Sequence, residues 1–599
     1  MRNLQIMKKT FFTGLILALL MMPLTVEGQS GGIKTQKKKI TSIDQLPRHT
    51  YRISGTITEM ISDDKAFAAF AQQVRQDIEN DFANYDIQDN ATLSEYYGIL
   101  LILDLLQENY DVVFKGIQRM RELEDKPAAK LMTALTEEVI ALARQKTKTT
   151  GGSQFKETFA RILAEKVKEF PWETVQERIV STKGAMDMYS KNLLLGLIRS
   201  SIEPALKRSG YISGDMARQV IVIYYVIQEV MPLKEQIIEV YGNLIKANRI
   251  EKVDIWKERN VDLTGKKGLS PVLVAIWDTG VDTTVFPHQL FTNPKEKLDG
   301  KDNDANGFVD DVHGIAYTLE ADKTTGLLYR IEGEPQPLAK KINLLRGFID
   351  LQNAVDSPES AALKKKLAAM QPGQVKTFVE NLMQMLFYMH GTHVAGIAID
   401  GNPYVHILTV RSTFDYRMIP KPMTMEIAHK TAKMYKGVVD YLKANGVRVV
   451  NMSWSNSLKE IERSLEANGI GKDAEERGKL AGQMFAVLKK GFYEAIKNAP
   501  EILFVNSAGN EDNDPLFQEY IPTSFDLTNV MVVGAVDRAG DETTFTSFGQ
   551  VVDVYANGYN VESFLPGGQT MPGSGTSMSS PQVANLAAKL LALSPDLKI

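Results

Sequence analysis

The sequence predicts an α/β fold, in which a doubly wound and mostly parallel sheet is preceded by an all-α N-terminal domain. Continuous apolar runs, typical of buried parallel strands, begin near residue 270 and alternate with helical segments. Before that point, apolar residues recur at helical spacing from about residue 60 to 250. The predicted strands are 271–277, 405–410, 447–452, 502–505 and 530–536, and the predicted helices between them are 425–444 and 474–497.

The first residues differ from all that follows. Arg2, Lys8 and Lys9 precede an apolar run over 11–22 that is too short to span a membrane. Residues 1–28 are therefore predicted to be a signal peptide, and the chain is expected to be exported, either secreted or periplasmic. No membrane association is expected once this segment is removed.

Three further segments follow the signal peptide, and the last of them contains an insertion. Residues 29–59 begin polar and basic and are interpreted as a polar tether. Residues 60–255 are predicted to be a helical accessory domain or pro-domain, and residues 256–599 the α/β domain. A stretch rich in helix formers, 317–387, is predicted to be a helical insertion that acts as a lid or an exosite, or packs against the N-terminal domain. The sequence leaves open whether residues 29–255 are removed on maturation.

Composition excludes two classes of protein. The chain has 599 residues and a net charge of −4, so it lacks the basic excess of a nucleic-acid-binding protein. It has no cysteine, so it has no disulfides to stabilise it and no cysteine that could carry a lipid anchor. A large apolar core, with or without bound ions, must supply the stability.

Three polar residues lie at the ends of these elements, and their order Asp, His, Ser is one of three unrelated chain orders in which a nucleophilic triad occurs. Asp278 ends the first predicted strand, His390 opens a small-residue helix, and Ser577 opens the last helix, with Pro581 expected in its first turn. A serine hydroxyl needs a base to take its proton, and the base needs a carboxylate to hold its tautomer. The Gly-x-Ser-x-Gly alternative fails, because Ser579 occupies its last position.

Asn510 follows another predicted strand and offers a side-chain amide. With the backbone N–H of Ser577, this amide could stabilise an oxyanion. His393, three residues after His390, is expected to pack internally rather than to react.

Five stretches together resemble the subtilisin-like serine proteases, the subtilase family. In chain order they are Asp278-Thr279-Gly280-Val281-Asp282 with His288, the run from His390 to Gly396, Val450-Asn451-Met452-Ser453, Ala508-Gly509-Asn510, and Gly575-Thr576-Ser577-Met578-Ser579-Ser580-Pro581. They extend through residues 270–595, in the family's order.

The resemblance implies a subtilisin-type fold and endopeptide hydrolysis through an acyl-enzyme, with proteins or peptides as substrates and no cofactor in the chemistry. It implies that Asp278 is the orienting acid, His390 the general base, Ser577 the nucleophile and Asn510 the oxyanion donor. The residues expected to contact substrate are Ser453, Trp454, Ser455 and Gly509. A competing hypothesis is a catalytically silent scaffold that binds partners through its helical domain; few residues follow Ser577, which favours this alternative.

An acidic, turn-rich stretch suggests a structural calcium ion. Asp302, Asp304 and Asn306 match positions 1, 3 and 5 of a calcium loop, and Gly307 matches position 6. Position 12 is His313 rather than Glu, so the stretch is not an EF-hand. A calcium site and a solvated turn both remain open.

Overall fold

The computed structural model describes residues 37–248, 251–332 and 338–599. The predicted signal peptide, residues 1–28, and the start of the tether lie outside the described residues. Across the described ranges, no helix combines the length and the apolar character needed to cross a bilayer.

The N-terminal half is built mainly from helices, as predicted. They are α1 (Ile57–Met60), α2 (Asp64–Asn84), α3 (Asn90–Leu106), α4 (Tyr110–Arg121), α5 (Pro127–Met132), α6 (Leu135–Thr147), α7 (Ser153–Lys168), α8 (Trp172–Met188), α9 (Lys191–Leu197), α10 (Glu203–Ser209), α11 (Gly214–Tyr225) and α12 (Lys234–Ala247). Side-chain oxygens of Asp63, Asp89, Ser190 and Ser213 accept from the backbone of the first turn that each precedes, which fixes several of these starts.

Two expectations for this region are wrong. It is not all-α, because strand β1 (Lys38–Ile40) pairs in parallel with β3 (Tyr85–Ile87), and β2 (Thr50–Arg52) pairs antiparallel with β4 (Tyr211–Ser213). Residues 37–59 are not a free tether either. Their apolar side chains, recurring every few positions, are buried in the core: Ile40, Ile43, Leu46, Tyr51 and Ile57. Burial of these side chains outweighs the local lysine run.

An eight-stranded sheet forms the second half and confirms the five predicted strands. Its strands are β5 (Val272–Asp278), β6 (Gly314–Tyr317), β7 (Lys323–Thr324), β8 (Val405–Ser412), β9 (Val449–Met452), β10 (Leu503–Ser507), β11 (Val530–Val536) and β12 (Val554–Asn557). Their order across the sheet is β12-β11-β10-β9-β5-β8-β6-β7. All neighbours are parallel except β6 and β7. A separate hairpin joins β13 (Val561–Phe564) to β14 (Thr570–Gly573).

Helices cover both faces of this sheet. The remaining helices are α13 (Leu338–Gln352), α14 (Pro358–Ala369), α15 (Val375–Ile399), α16 (Met425–Ala444), α17 (Leu458–Ala467), α18 (Ala474–Lys497) and α19 (Thr576–Leu593). Because side chains alternate along a strand, Val274 and Ile276 pack with α15 and α19, whereas Ala275 and Trp277 pack with α16 and α18. The second of these cores continues without a break into the N-terminal helices.

The predicted insertion comprises β7, α13, α14 and the first half of α15. It packs against the N-terminal helices: the Asn192 amide donates to the Met370 carbonyl oxygen over 3.0 Å, and a Cβ added at Gly184 would overlap the Leu351 carbonyl oxygen. The small residues after His390 suggested that a helix begins there. The helix instead begins at Val375, because the apolar residues before His390 are buried and extend the same helix.

Candidate active site

Asp278 and His390 are in direct contact. Asp278 is the last residue of β5 and is fully buried, and its Oδ1 lies 2.6 Å from Nδ1 of His390 in α15. The same oxygen accepts from the backbone N–H of Thr279 over 2.7 Å. An accepting carboxylate places the proton of a neutral imidazole on Nδ1, which leaves Nε2 as the basic nitrogen.

Two glycines make this contact possible. A Cβ added at Gly391 would overlap the carbonyl oxygen of Gly280, so the helix can approach the strand end only without a side chain there. Gly280 itself has φ +121°, a conformation that other residues rarely adopt. The Thr279 hydroxyl oxygen then accepts from the Gly391 N–H over 3.0 Å. The motif glycines are thus required by the close packing of α15 on β5.

Ser577 is the second residue of α19 and lies beside Ser453. Its hydroxyl donates to the Ser453 carbonyl oxygen over 3.4 Å, and within the described residues it has no hydrogen bond to His390. Hydrogen bonds of this kind are often long in unliganded enzymes and shorten when substrate binds. Both Ser577 and His390 are buried, at 2 % and 5 % exposure.

Pro581 was expected in the first turn of α19, but it is the sixth residue of this helix. A proline at this position removes the backbone hydrogen bond that the carbonyl of Ser577 would otherwise accept. The Ser453 hydroxyl supplies the missing donor over 3.0 Å. Ser453 therefore contacts Ser577 through both its side chain and its backbone.

Asn510 is oriented by the same helix start. Its Oδ1 accepts from the Thr576 N–H over 2.6 Å, so its Nδ2 is the group left to donate to a ligand. Glu511, the next residue, accepts from the Tyr520 hydroxyl over 2.9 Å, and burial raises its pKa to about 8. At pH 7 this carboxyl is mainly neutral, so it places little negative charge beside a developing oxyanion.

The residues expected to contact substrate lie together but are largely buried. The Ser453 carbonyl oxygen accepts from the Ser577 hydroxyl, and the Gly509 N–H donates to the Thr576 hydroxyl over 3.2 Å, while Ser453 and Ser455 are 0 % and 1 % exposed. The Trp454 side chain points into the core, where it packs edge-on against Trp277, and its Nε1 donates to the Trp277 carbonyl oxygen over 2.6 Å. Any contact of Trp454 with substrate is therefore left to its backbone, while its indole holds the strand end that precedes Asp278.

His393 packs internally, as expected. Its Nε2–H donates to the Met571 carbonyl oxygen over 2.9 Å, and burial lowers its pKa to about 4. The ring is neutral at physiological pH and adds no positive charge near His390.

The acidic stretch forms a compact cluster, but with different members from those expected. Carboxylate oxygens of Glu296, Asp304 and Asp311 all lie within 4.8 Å of one another. Asp302 instead accepts from the backbone N–H groups of Asn306 (3.1 Å) and Gly307 (2.8 Å), which closes the turn. Of the expected residues, Asp304 belongs to this cluster and Asp302 does not, while the Asn306 amide donates to Oδ2 of Asp311 over 3.0 Å and so lies against the cluster. The spacing of Glu296 and Asp311 from Asp304 matches no loop pattern.

The close approach at Gly391 can be tested directly. We expect Gly391→Ala to lower the free energy of unfolding by about 1–3 kcal/mol, because the added methyl group must push α15 away from β5. The matched control is Gly482→Ala, at a helical glycine of α18 that has open space around it. That variant should gain stability slightly, since alanine favours a helix. Urea unfolding measures both, and a Gly391→Ala variant as stable as the control would contradict this account of the contact.

The model of the subtilase family (peptidase S8) matches residues 270–598. The cuticle-degrading protease of Metarhizium anisopliae is 34% identical over 164 residues, which is 26% of this chain and 41% of the relative. The thermostable alkaline protease of Halalkalibacterium halodurans is 28% identical over 199 residues, which is 33% of this chain and 46% of the relative. The chain thus spans less than half the length of these relatives.

Two solved structures are similar over longer stretches but only distantly. One is the crystal structure of a cold-adapted subtilisin-like serine proteinase, and the similar region covers 59% of this chain and 85% of that protein's chain, at 18% identity and with a TM-score of 0.30. The other is the A-subunit of the AB5 toxin from E. coli, and the similar region covers 55% of this chain and 81% of that protein's chain, at 14% identity and with a TM-score of 0.32.

The match to the subtilase family extends over more than half of the chain and includes Asp278, His390 and Ser577. The chain belongs to the subtilase family.

Proposed function

We propose that this protein is an exported serine endopeptidase that cleaves proteins or peptides through Asp278, His390 and Ser577. The observation that carries the proposal is the 2.6 Å contact between Asp278 Oδ1 and His390 Nδ1. The proposed nucleophile, Ser577, is a buried serine at the start of α19. Membership of the subtilase family supports it. No metal or organic cofactor is needed for this chemistry.

In the proposed reaction, the Ser577 hydroxyl attacks the carbonyl carbon of the scissile bond while Nε2 of His390 accepts its proton. Asp278 stabilises the imidazolium that forms. The oxyanion accepts hydrogen bonds from Nδ2 of Asn510 and the N–H of Ser577. His390 then protonates the departing amine, and water activated by the same nitrogen hydrolyses the acyl-enzyme. The extended backbone of 453–455 is proposed to bind the substrate chain.

The test is covalent labelling with a fluorophosphonate probe alongside hydrolysis of casein. The wild type should be labelled and active. Ser577→Ala should lose labelling and about 10⁴–10⁶-fold in kcat, because the nucleophile is gone. The matched control is Ser594→Ala, an exposed serine at the end of the same helix, which should behave as the wild type. A folded wild type that is neither labelled nor active would contradict the proposal and favour the silent binding scaffold.

Export is proposed from the sequence of residues 1–28. The proposal expects the N-terminal residue of the protein recovered outside the cytoplasm to lie close to Gln29. N-terminal sequencing checks it, and recovery of a chain that still begins at Met1 would contradict it.

We also propose that Glu296, Asp304 and Asp311 hold a structural calcium ion. Glu296 and Asp311 are 7% and 1% exposed, and Oε2 of Glu296 and Oδ1 of Asp311 are buried with no hydrogen-bond partner. Buried, unpartnered carboxylate oxygens close together are costly unless a cation neutralises them. Carboxylate oxygens are the ligands that calcium prefers. The donor set therefore fits this ion.

Calcium should raise the thermal midpoint of the wild type and EDTA should lower it, since a ligand bound only by the folded state stabilises that state. Asp311→Asn should abolish this response and, in EDTA, should be at least as stable as the wild type, because one of the crowded charges is removed. Asp302→Asn, in the same loop but outside the cluster, should keep the response. Equal midpoints of the wild type in calcium and in EDTA would contradict the site.

A further inference from the structure

A buried lysine of the helical domain reaches the loops beside the candidate active site. Lys126 immediately precedes α5 and is only 6% exposed. Its Nζ donates to the carbonyl oxygens of Thr543 (2.9 Å), Thr546 (3.0 Å) and Thr544 (3.4 Å), and lies 2.6 Å from Oδ1 of Asp512. Three carbonyl oxygens and a carboxylate thus surround one ammonium group.

These oxygens belong to two loops that are hydrogen-bonded to each other around Asn510. The Ser547 N–H donates to the Gly509 carbonyl oxygen over 2.8 Å, and the Asp512 N–H donates to that of Phe545 over 3.0 Å. The residues bonded in this way lie one position before and two positions after Asn510. The position of Asn510 therefore depends on how firmly loop 543–547 is held.

Asp512 needs this support for two reasons. Its backbone has φ +49°, in the left-handed region that residues other than glycine adopt uncommonly. Its carboxylate is mostly buried, and Lys126 is the cation in contact with it. Removing the ammonium group would leave the carboxylate and three convergent carbonyl oxygens without their shared partner.

A second residue of the helical domain holds the same loop. Glu177 in α8 accepts from both the N–H (3.0 Å) and the hydroxyl (2.6 Å) of Thr544. Lys126 thus binds carbonyl oxygens of loop 543–547, and Glu177 binds the N–H and the hydroxyl of Thr544 in the same loop. Two side chains from separate parts of the helical domain therefore fix a loop that is hydrogen-bonded to the residues on either side of Asn510.

We propose that Lys126 is a positioning residue for the oxyanion site, so that the helical domain contributes to the geometry of the catalytic unit. This inference rests on the proposed protease function. Lys126 acts through Asp512 on Asn510, whose Nδ2 must meet the oxyanion within hydrogen-bond distance. Small displacements of such a donor lower the rate while substrate binding is kept.

The test compares Lys126→Met with Lys130→Met, at an exposed lysine within α5, in a peptide hydrolysis assay. Lys126→Met should lower kcat about 10- to 100-fold with little change in KM, because displacing the oxyanion donor should cost less than the roughly 10²–10³-fold that its complete loss costs. Lys126→Arg, which keeps the cation, should recover part of the loss. Lys130→Met should match the wild type.

A double-mutant cycle with Asn510→Ala separates positioning from a general loss of structure. If Lys126 acts through Asn510, the Lys126→Met change should cost little once Asn510 is already alanine. A full additional loss in that background, or an unchanged kcat for Lys126→Met alone, would overturn the inference. An inactive and unlabelled wild type would instead overturn the proposed function, and this inference with it.

Discussion

The close packing of α15 against the end of β5 is the constraint on which the rest of the site depends. It brings Nδ1 of His390 within 2.6 Å of Asp278, and it requires that residue 391 have no side chain. The helix is held from both sides. Its second half packs with α19 on one face of the sheet, and its first half packs against the N-terminal helices through the insertion. His390, the proposed general base, is therefore fixed by a helix that connects the two halves of the molecule.

The two halves of the molecule are also in contact beside Asn510, at the proposed oxyanion site. One apolar core runs from Ile40 in the N-terminal region to residues of the central sheet, and Lys126 adds a polar anchor at its edge. A domain that is removed on maturation would expose this core and leave Asp512 without its cation. Exposing buried apolar surface costs about 25 cal/mol per Å². We therefore infer one folded unit, in which the helical domain supports the proposed catalytic geometry.

Much of this arrangement could be predicted because its signals are local. Buried parallel strands appear as continuous apolar runs, and Asp278 and Asn510 follow strands whose carboxyl ends share one edge of the sheet. The contacts that were missed join distant residues with no local pattern. Lys126 looks like any surface lysine before a proline, yet it meets Thr543, 417 residues away. Glu296 and Asp311 likewise become neighbours only through the folded loop.

The central claim is that Ser577 is a nucleophile activated by His390, and its most direct test is to trap the acyl-enzyme. The protein is mixed with p-nitrophenyl acetate, quenched in acid and digested, and the peptides are mapped by mass spectrometry. The account predicts a rapid burst of nitrophenol and one acetyl group, located on Ser577, which His390→Ala no longer forms. Acetylation at other residues only, or no acetyl group on a folded protein, would contradict it.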